Sequence, residues 1–187
     1  MKVFEDSFGR IWLGLMGGLG ILNKETGLIQ QVQCEPLNEH SHIISGITED
    51  VFRTIWVSTW GGLYQIDPLT LKAELITLDP FKHESTGSNT IWDIHIDSIQ
   101  QIWLTTWQGL VQYNMESKRI LRFTHNPFNL YSINDNKTFK LFEDNQGLLW
   151  ITTAKGLARI QLYSNKLYFL GLNTNLQDYS NFSLRAV

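Results

Sequence analysis

The sequence predicts an all-β fold built from about four repeats of a four-stranded antiparallel sheet. Tryptophan recurs at intervals of 44, 47 and 47 residues, and each of these tryptophans has an aspartate six residues before it and a Gly-Leu pair that begins six residues after it. A motif that returns four times at a nearly fixed spacing is an internal repeat. The aligned residues are Asp6, Trp12, Gly18 and Leu19; Asp50, Trp56, Gly62 and Leu63; Asp97, Trp103, Gly109 and Leu110; and Asp144, Trp150, Gly156 and Leu157.

Each repeat is predicted to contain four short strands, named A to D in chain order. In the second repeat, strand A ends at Asp50, strand B covers 54–59, strand C covers 63–66 and strand D covers 73–78, with turn residues between them. One such sheet cannot cover both of its faces, so repeats of this length stack around a ring as the blades of a β-propeller. The expected repeats are approximately 1–42, 43–89, 90–136 and 137–180 of a single propeller segment, and 181–187 starts a fifth blade.

The repeated residues have structural explanations. We expect the tryptophan of strand B to pack between neighbouring blades. The aspartate lies where strand A turns into strand B, and its carboxylate is expected to accept hydrogen bonds from nearby backbone N–H groups. Three residues after it come Gly9 and Gly147 in the first and last repeats, but Arg53 and Gln100 in the middle two. A calcium or catalytic role is disfavoured, because each aspartate belongs to a different blade.

Composition excludes several classes of protein. The 187 residues carry 18 acidic and 15 basic side chains and a net charge of -3, without a basic run that could hold a nucleic acid. We find no apolar stretch of transmembrane length and no signal peptide, and we expect no direct membrane contact from this segment. The single cysteine, Cys34, allows no internal disulfide. No cofactor and no metal are expected.

Two segments resemble a known family, the two-component regulator propeller repeats. They are 144–153, with the sequence Asp-Asn-Gln-Gly-Leu-Leu-Trp-Ile-Thr-Thr, and 56–63, with the sequence Trp-Val-Ser-Thr-Trp-Gly-Gly-Leu. The connection 126–136 is also similar to the way that family leads into its next blade. These repeats build the periplasmic sensor region of Bacteroidetes hybrid two-component histidine kinases. The resemblance therefore implies a signal-transduction sensor domain, a periplasmic or other extracytoplasmic location, and a kinase in another part of the protein.

Rings of that family usually have seven blades. Because this chain begins and ends inside a strand A, we expect it to be part of a longer sensor or a truncated reading frame. An open ring would leave sheet faces uncovered, so we expect another copy of the chain, or further blades from a partner, to close it. A closed four-bladed monomer is the less favoured alternative.

A ligand site is predicted on the face of the ring that carries the B-to-C turns and the D-to-A connections. Trp60 and Trp107 share one position in these turns, beside connections rich in polar residues. Indole rings next to amides and carboxylates suit an oligosaccharide, whose C–H face stacks on the ring. The alternative is that both rings only wedge between blades. The candidate ligand-binding residues are Trp60, Trp107, His83, Glu84, Asn89, His125 and Asn136.

The leading hypothesis is a non-catalytic sensing module that binds a glycan-derived oligosaccharide. No catalytic residues are assigned, because no nucleophile elbow, phosphate-binding loop or metal-spaced motif is present. Histidines of three D-to-A connections fall at different positions, which favours solvated histidines over a metal site. Two alternatives stay open: a propeller-type carbohydrate-active enzyme, either a lyase or a hydrolase, and a pure protein-interaction scaffold.

Overall fold

The computed structural model describes residues 1–15, 17–34, 41–76, 78, 90–129 and 131–162, together with the backbone of the strand Lys166–Gly171. The segment 181–187, predicted to begin a fifth blade, lies outside the described residues. Within the described ranges all regular structure is β-strand, and none of it is a helix that could span a bilayer.

In the part of the chain that the structure describes, sixteen strands form four separate antiparallel sheets, which are the predicted blades. Blade 1 contains β1 (Lys2–Glu5), β2 (Ile11–Leu15), β3 (Gly18–Leu22) and β4 (Ile29–Val32). Blade 2 contains β5 (Ile44–Glu49), β6 (Ile55–Thr59), β7 (Gly62–Ile66) and β8 (Ala73–Ile76). Blade 3 contains β9 (Ile91–Ile96), β10 (Gln101–Thr106), β11 (Gly109–Asn114) and β12 (Ile120–Phe123). Blade 4 contains β13 (Thr138–Glu143), β14 (Leu148–Thr153), β15 (Gly156–Gln161) and β16 (Lys166–Gly171).

In every blade the strands pair in sequence order, so each sheet is a simple meander. The first strands of consecutive blades contact one another, β1 with β5, β5 with β9 and β9 with β13. These four strands therefore correspond to strand A and line the centre of the arrangement. The predicted all-β fold of four-stranded blades is confirmed.

The core lies between the blades. Trp12 packs with the blade 2 side chains Ile55 and Val57, whereas Trp103 packs with Leu149 and Ile151 of blade 4. The three tryptophans at this position in blades 1, 2 and 3 are at most 2% exposed. The expected packing between blades is confirmed for these three residues.

The repeated aspartate joins the turn to the core. In blade 3, Oδ1 of Asp97 accepts the backbone N–H groups of Ile99 at 3.0 Å and Gln101 at 2.8 Å, as predicted for an Asx-type turn. Its second oxygen, Oδ2, accepts the indole N–H of Trp103 at 2.7 Å. All four blades repeat this pattern, with Asp–Trp distances between 2.7 and 2.9 Å. The constant interval of six residues therefore reflects a buried hydrogen bond as well as packing.

The fourth residue of this turn has a left-handed backbone in every blade. Gly9 and Gly147 have φ of 75° and 72°, and Arg53 and Gln100 adopt nearly the same conformation at 67° and 62°. Glycine adopts positive φ without steric cost, whereas a residue with a Cβ is strained there. The turn is therefore one conformation that all four repeats share, and two of them hold it with a less suitable residue.

Candidate functional site

The site begins with an irregularity at the start of strand A. In blades 2, 3 and 4 the pairing between strand A and strand B shifts register near the same position. In blade 3, Thr105 pairs with Asp93 and Thr106 pairs with Ile91, so Trp92 is the extra residue of a β-bulge. Bulges bend a strand and redirect a side chain, and they are frequent at functional sites. The aligned positions are Ser45 in blade 2 and Phe139 in blade 4.

Trp92 lies at the centre of an aromatic cluster. Its ring centroid is 5.3 Å from that of Trp107, with the two planes 24° apart, and 5.2 Å from that of Trp60. Phe139 is edge-on to Trp92, with ring centroids 6.3 Å apart and planes 70° apart. We call these four residues the tryptophan platform. It draws on three consecutive blades, and Trp107 remains 47% exposed at its outer edge.

The turns that carry Trp60 and Trp107 are held by buried threonines. The Thr106 hydroxyl accepts the N–H of Gln108 at 3.0 Å and donates to the carbonyl oxygen of Gly109 at 2.6 Å. Thr59 makes the same two bonds beside Trp60, at 2.9 and 3.0 Å. Both threonines are fully buried, so the turns that carry Trp60 and Trp107 are held in fixed conformations.

The glycine after each of these turns is the repeated glycine of the sequence. It has a positive φ in all four blades, between 109° and 143°. A side chain at this position would be strained, which explains why the motif contains glycine.

The platform contains a buried donor. Among the residues that the structure describes, the Trp92 indole nitrogen is shielded from solvent and has no hydrogen-bond partner. Leaving a buried N–H without a hydrogen bond costs about 1–3 kcal/mol of stability. Such groups are rare in native proteins, so each one is a candidate for a functional role. Because the nitrogen is shielded, this N–H reaches an oxygen of a bound molecule only when the neighbouring side chains move.

Two other predicted site residues hold the last D-to-A connection in place. The amide oxygen of Asn136 accepts the backbone N–H of His125 at 2.6 Å, and Nδ1 of His125 donates to the carbonyl oxygen of Ile133 at 2.8 Å. The carbonyl oxygen of Asn136 also accepts the N–H of Gly109, which ties this connection to the turn of Trp107. His125 and Asn136 therefore border the platform as parts of its frame. The predicted residues His83, Glu84 and Asn89 lie outside the described residues.

Charged side chains line strand A one residue after the bulge. Lys140 of β13 pairs with Asp93 of β9 at 3.3 Å, and Lys2 of β1 occupies the same position in blade 1. Burial lowers the pKa of Lys2, and the nearby Lys140 ammonium lowers it further. Gly46 is the blade 2 residue at this position, so the ring centre contains two lysines and one aspartate here.

A second polar pair lies lower on the inner strands. Nε2 of His95 is 3.0 Å from Oε2 of Glu143, which also accepts the backbone N–H of Ser98. Burial would raise the pKa of Glu143, but the hydrogen bonds from Ser98 and His95 outweigh burial and lower it overall. His95 is therefore an inner-strand histidine with a hydrogen-bond partner.

The opposite face of the ring carries a groove of about 420 Å³ between the turns of blades 1 and 2. Phe8, Arg53 and Asp67 are among its lining residues. The Arg53 guanidinium lies 4.8 Å from the centre of the Phe8 ring, so that cation already has an aromatic partner. We therefore place the candidate site at the tryptophan platform.

Sequence reasoning found two of the three tryptophans in the platform and missed Trp92. The chain has seven tryptophans, of which four belong to the repeated position on strand B. The remaining three are Trp60, Trp92 and Trp107, and all of them meet in the platform. Separating the tryptophans that the repeat explains from those that it does not would have pointed to Trp92.

Comparison with known proteins gives matches among solved structures. No protein-family model and no curated protein matches the sequence. The extracellular domain of the hybrid two-component system BT4673 from B. thetaiotaomicron matches with a TM-score of 0.71 and 21% identity, over 84% of this chain and 20% of that one. The corresponding domain of BT3049 from the same organism matches with a TM-score of 0.72 and 20% identity, over 91% of this chain and 22% of that one.

A streptogramin B lyase also matches, with a TM-score of 0.66 and 18% identity, over 93% of this chain and 55% of the lyase. This chain spans about a fifth of the length of the two sensor domains. The chain is a β-propeller segment of about four blades, and its fold is similar to that of the extracellular domains of Bacteroides hybrid two-component systems.

Proposed function

We propose that this chain is part of a ligand-sensing module that recognises a glycan-derived oligosaccharide at the tryptophan platform. The observation that carries the proposal is the stack of Trp60, Trp92 and Trp107 on one face of the ring, with Trp107 47% exposed. An exposed indole at the edge of a fixed aromatic stack offers a flat apolar surface to the C–H face of a sugar ring. The Trp92 N–H, which has no partner among the described residues, would supply a directional bond to a hydroxyl oxygen once the neighbouring side chains move to admit the ligand.

The surroundings of the platform support a polar ligand. Asp93 directly follows Trp92 and Lys140 directly follows Phe139 in the sequence, and these two charged side chains pair with each other on neighbouring inner strands. Apolar surfaces that include a few fixed polar groups are typical of small-molecule sites. A neutral or charged saccharide would stack on the indoles and exchange hydrogen bonds with these side chains.

The mechanism we propose is non-covalent. The platform contains residues of blades 2, 3 and 4, so a molecule held there contacts several blades at once. Binding would favour one relative placement of the blades, which is a population shift, and a kinase elsewhere in the parent protein would respond to it. The similarity to extracellular domains of two-component systems supports this role and an extracytoplasmic location.

The second candidate function is a propeller-type lyase or hydrolase that acts on a carbohydrate. The streptogramin B lyase, whose fold is similar, is an example of a propeller that is an enzyme. The two functions differ in what happens to the ligand. Incubation of the full chain with oligosaccharides, followed by chromatography and assays for reducing ends and unsaturated sugars, separates them. Intact oligosaccharide after prolonged incubation supports the sensor, and released product supports the enzyme.

The binding test uses calorimetry with a panel of plant and host oligosaccharides. We expect at least one of them to bind, and Trp107→Ala to weaken its binding about tenfold, because the substitution removes the exposed stacking surface. The melting temperature should fall by about 2–4 °C for each kcal/mol lost, because half of the ring packs against Trp92. The matched control is Phe128→Ala on a D-to-A connection of the same face, since Phe128 is 96% exposed and lies outside the platform. Equal affinity in Trp107→Ala and the unmodified chain would reject the platform as the binding site.

A further inference from the structure

Each blade has two different faces. One face presents the repeated tryptophan of strand B to the following blade. The other presents the residues on either side of that tryptophan to the preceding blade, as Ile55 and Val57 of blade 2 do towards Trp12. Ile102 and Leu104 of blade 3, and Leu149 and Ile151 of blade 4, occupy the same positions, and all six of these side chains are fully buried.

Blade 1 leaves the second kind of face open. Ile11 and Leu13, which flank Trp12, are only partly buried, in contrast to their fully buried counterparts in blades 2, 3 and 4. On strand A, Val3 is 61% exposed, whereas the aligned Ile47 packs into the core between blades 1 and 2. Blade 1 therefore carries an apolar face shaped for a preceding blade.

In the described part of the chain, blade 4 leaves the face that carries the repeated tryptophan without a neighbouring blade. Trp150 is only partly buried, whereas Trp12, Trp56 and Trp103 are at most 2% exposed beneath the next blade. Phe142 on strand A is 66% exposed. These are the residues that would contact the face of blade 1 if the internal pattern continued.

A polar contact also repeats between blades. Glu49 of blade 2 accepts the backbone N–H and the hydroxyl of Ser7 in blade 1, both at 2.8 Å. Glu143 of blade 4 accepts the N–H of Ser98 in blade 3 at 3.1 Å. The aligned acceptor in blade 1 is Glu5, which is exposed and pairs with Lys24 of its own blade at 3.2 Å.

We infer that two copies of this chain associate head to tail, so that blade 4 of each copy packs against blade 1 of the other. Each copy then supplies the tryptophan face that the other lacks, and Glu5 can accept the backbone N–H of the partner copy's Asn145, the counterpart of Ser7 and Ser98. Two identical contacts related by a twofold axis close a ring of eight blades, at the upper end of the usual range of about four to eight. The surfaces that meet between the two copies are the same kinds of surface that meet between consecutive blades within one chain, so their shapes already match.

The first test is the molar mass of the full chain by light scattering after size exclusion. At tens of micromolar we expect twice the chain mass of 21.6 kDa. A monomer that persists to about 100 µM would overturn the inference, and so would open chains longer than two. This test does not depend on any ligand, so its failure is distinguishable from a failure of the proposed sugar binding.

The second test uses substitutions at positions that the single chain leaves exposed. Val3→Glu and Phe142→Glu should each give a monomer with unchanged circular dichroism, since the two side chains are 61% and 66% exposed. Phe128→Glu, at a position that is 96% exposed on a loop, is the matched control and should stay dimeric.

Mixing the two monomeric variants gives the decisive readout. Val3→Glu retains an intact blade 4 face and Phe142→Glu retains an intact blade 1 face, so the mixture should regain dimers through one undamaged contact. A dimer built from like faces would leave one of the two variants dimeric by itself, and mixing would rescue nothing. That outcome would overturn the head-to-tail arrangement.

Discussion

The buried bond between Asp97 and Trp103 should be one of the most important single interactions in this fold. Asp97 is 1% exposed and receives three hydrogen bonds, two from the backbone of its turn and one from the indole. In Asp97→Ala the indole N–H loses its partner inside the core, which costs about 1–3 kcal/mol. The two turn bonds add about 0.5–1.5 kcal/mol each, so we expect a total loss of about 4 kcal/mol.

Two further variants separate these contributions. Asp97→Asn keeps an oxygen for the turn but places an NH₂ group opposite the indole N–H, and should lose about 2 kcal/mol. Trp103→Phe removes the donor and keeps an aromatic ring in the core. The double variant Asp97→Ala, Trp103→Phe should therefore lose less than the sum of the two single variants, by at least 1 kcal/mol.

The measurement is urea unfolding followed by circular dichroism at one fixed protein concentration, so that self-association affects all variants equally. A loss below about 1 kcal/mol for Asp97→Ala would refute the reasoning, because the indole would then have found water or another acceptor. Additive losses in the double variant would show that the two residues do not depend on each other. Either result would mean that the interval of six residues between the aspartate and the tryptophan reflects packing alone and not the hydrogen bond.

Three further predictions concern stability. Lys118 is exposed and has a φ of 54°, so Lys118→Gly should raise the free energy of unfolding by about 1 kcal/mol. Leu71 has a similar φ of 58° but packs against the core, so Leu71→Gly should lower the free energy of unfolding. Thermal melts of both variants check this contrast. Burial raises the pKa of Asp6, but hydrogen bonds from the indole and from the neighbouring arginine outweigh burial and lower it overall. The stabilising contribution of the Asp6 carboxylate is therefore complete above about pH 4 and is lost as the pH falls through its lower folded-state pKa. Asp6→Asn lacks this carboxylate, so its urea midpoint should fall less between pH 5 and pH 3 than that of the unmodified chain. Thr106→Val should lower the free energy of unfolding in urea by about 2 kcal/mol, because the fully buried hydroxyl makes two hydrogen bonds in its turn. Thr124→Val, at an exposed position, is the control and should change that free energy by less than about 0.5 kcal/mol.

The sequence predicts the blades well because their signals are local. The interval between Asp97 and Trp103, the glycine after each B-to-C turn and the alternating apolar residues all act within one hairpin. A hairpin is defined by a few neighbouring residues, so its strands can be located without knowledge of the remaining fold. The indole bond itself was not predicted, because a fixed interval between two residues does not reveal which of their atoms meet.

The platform was harder to predict because it depends on contacts between blades. Trp60 and Trp107 are recognisable, since they share one position in consecutive repeats. Trp92 joins them only because the strand carries a bulge, and the bulge is visible only in the pairing of Thr105 and Thr106 with their neighbours. His125 and Asn136 were predicted as ligand contacts, and the structure shows the framework bonds that they make beside the platform.

The distribution of tryptophan shows how a repeat protein can hold structure and recognition in the same motif. The position on strand B is tryptophan in all four blades, because each blade needs the same contact with its neighbour. The bulge position instead contains Ser45, Trp92 and Phe139 in successive blades. A position that varies among otherwise matching repeats is not needed for the packing that all blades share. Its residues can therefore differ from blade to blade and create a feature on one side of the ring only. Trp92 at this varying position meets Trp60 and Trp107 of the B-to-C turns in blades 2 and 3, and Phe139 of blade 4 meets Trp92. This asymmetry is the reason why we propose the binding site there and not on the symmetric remainder of the ring.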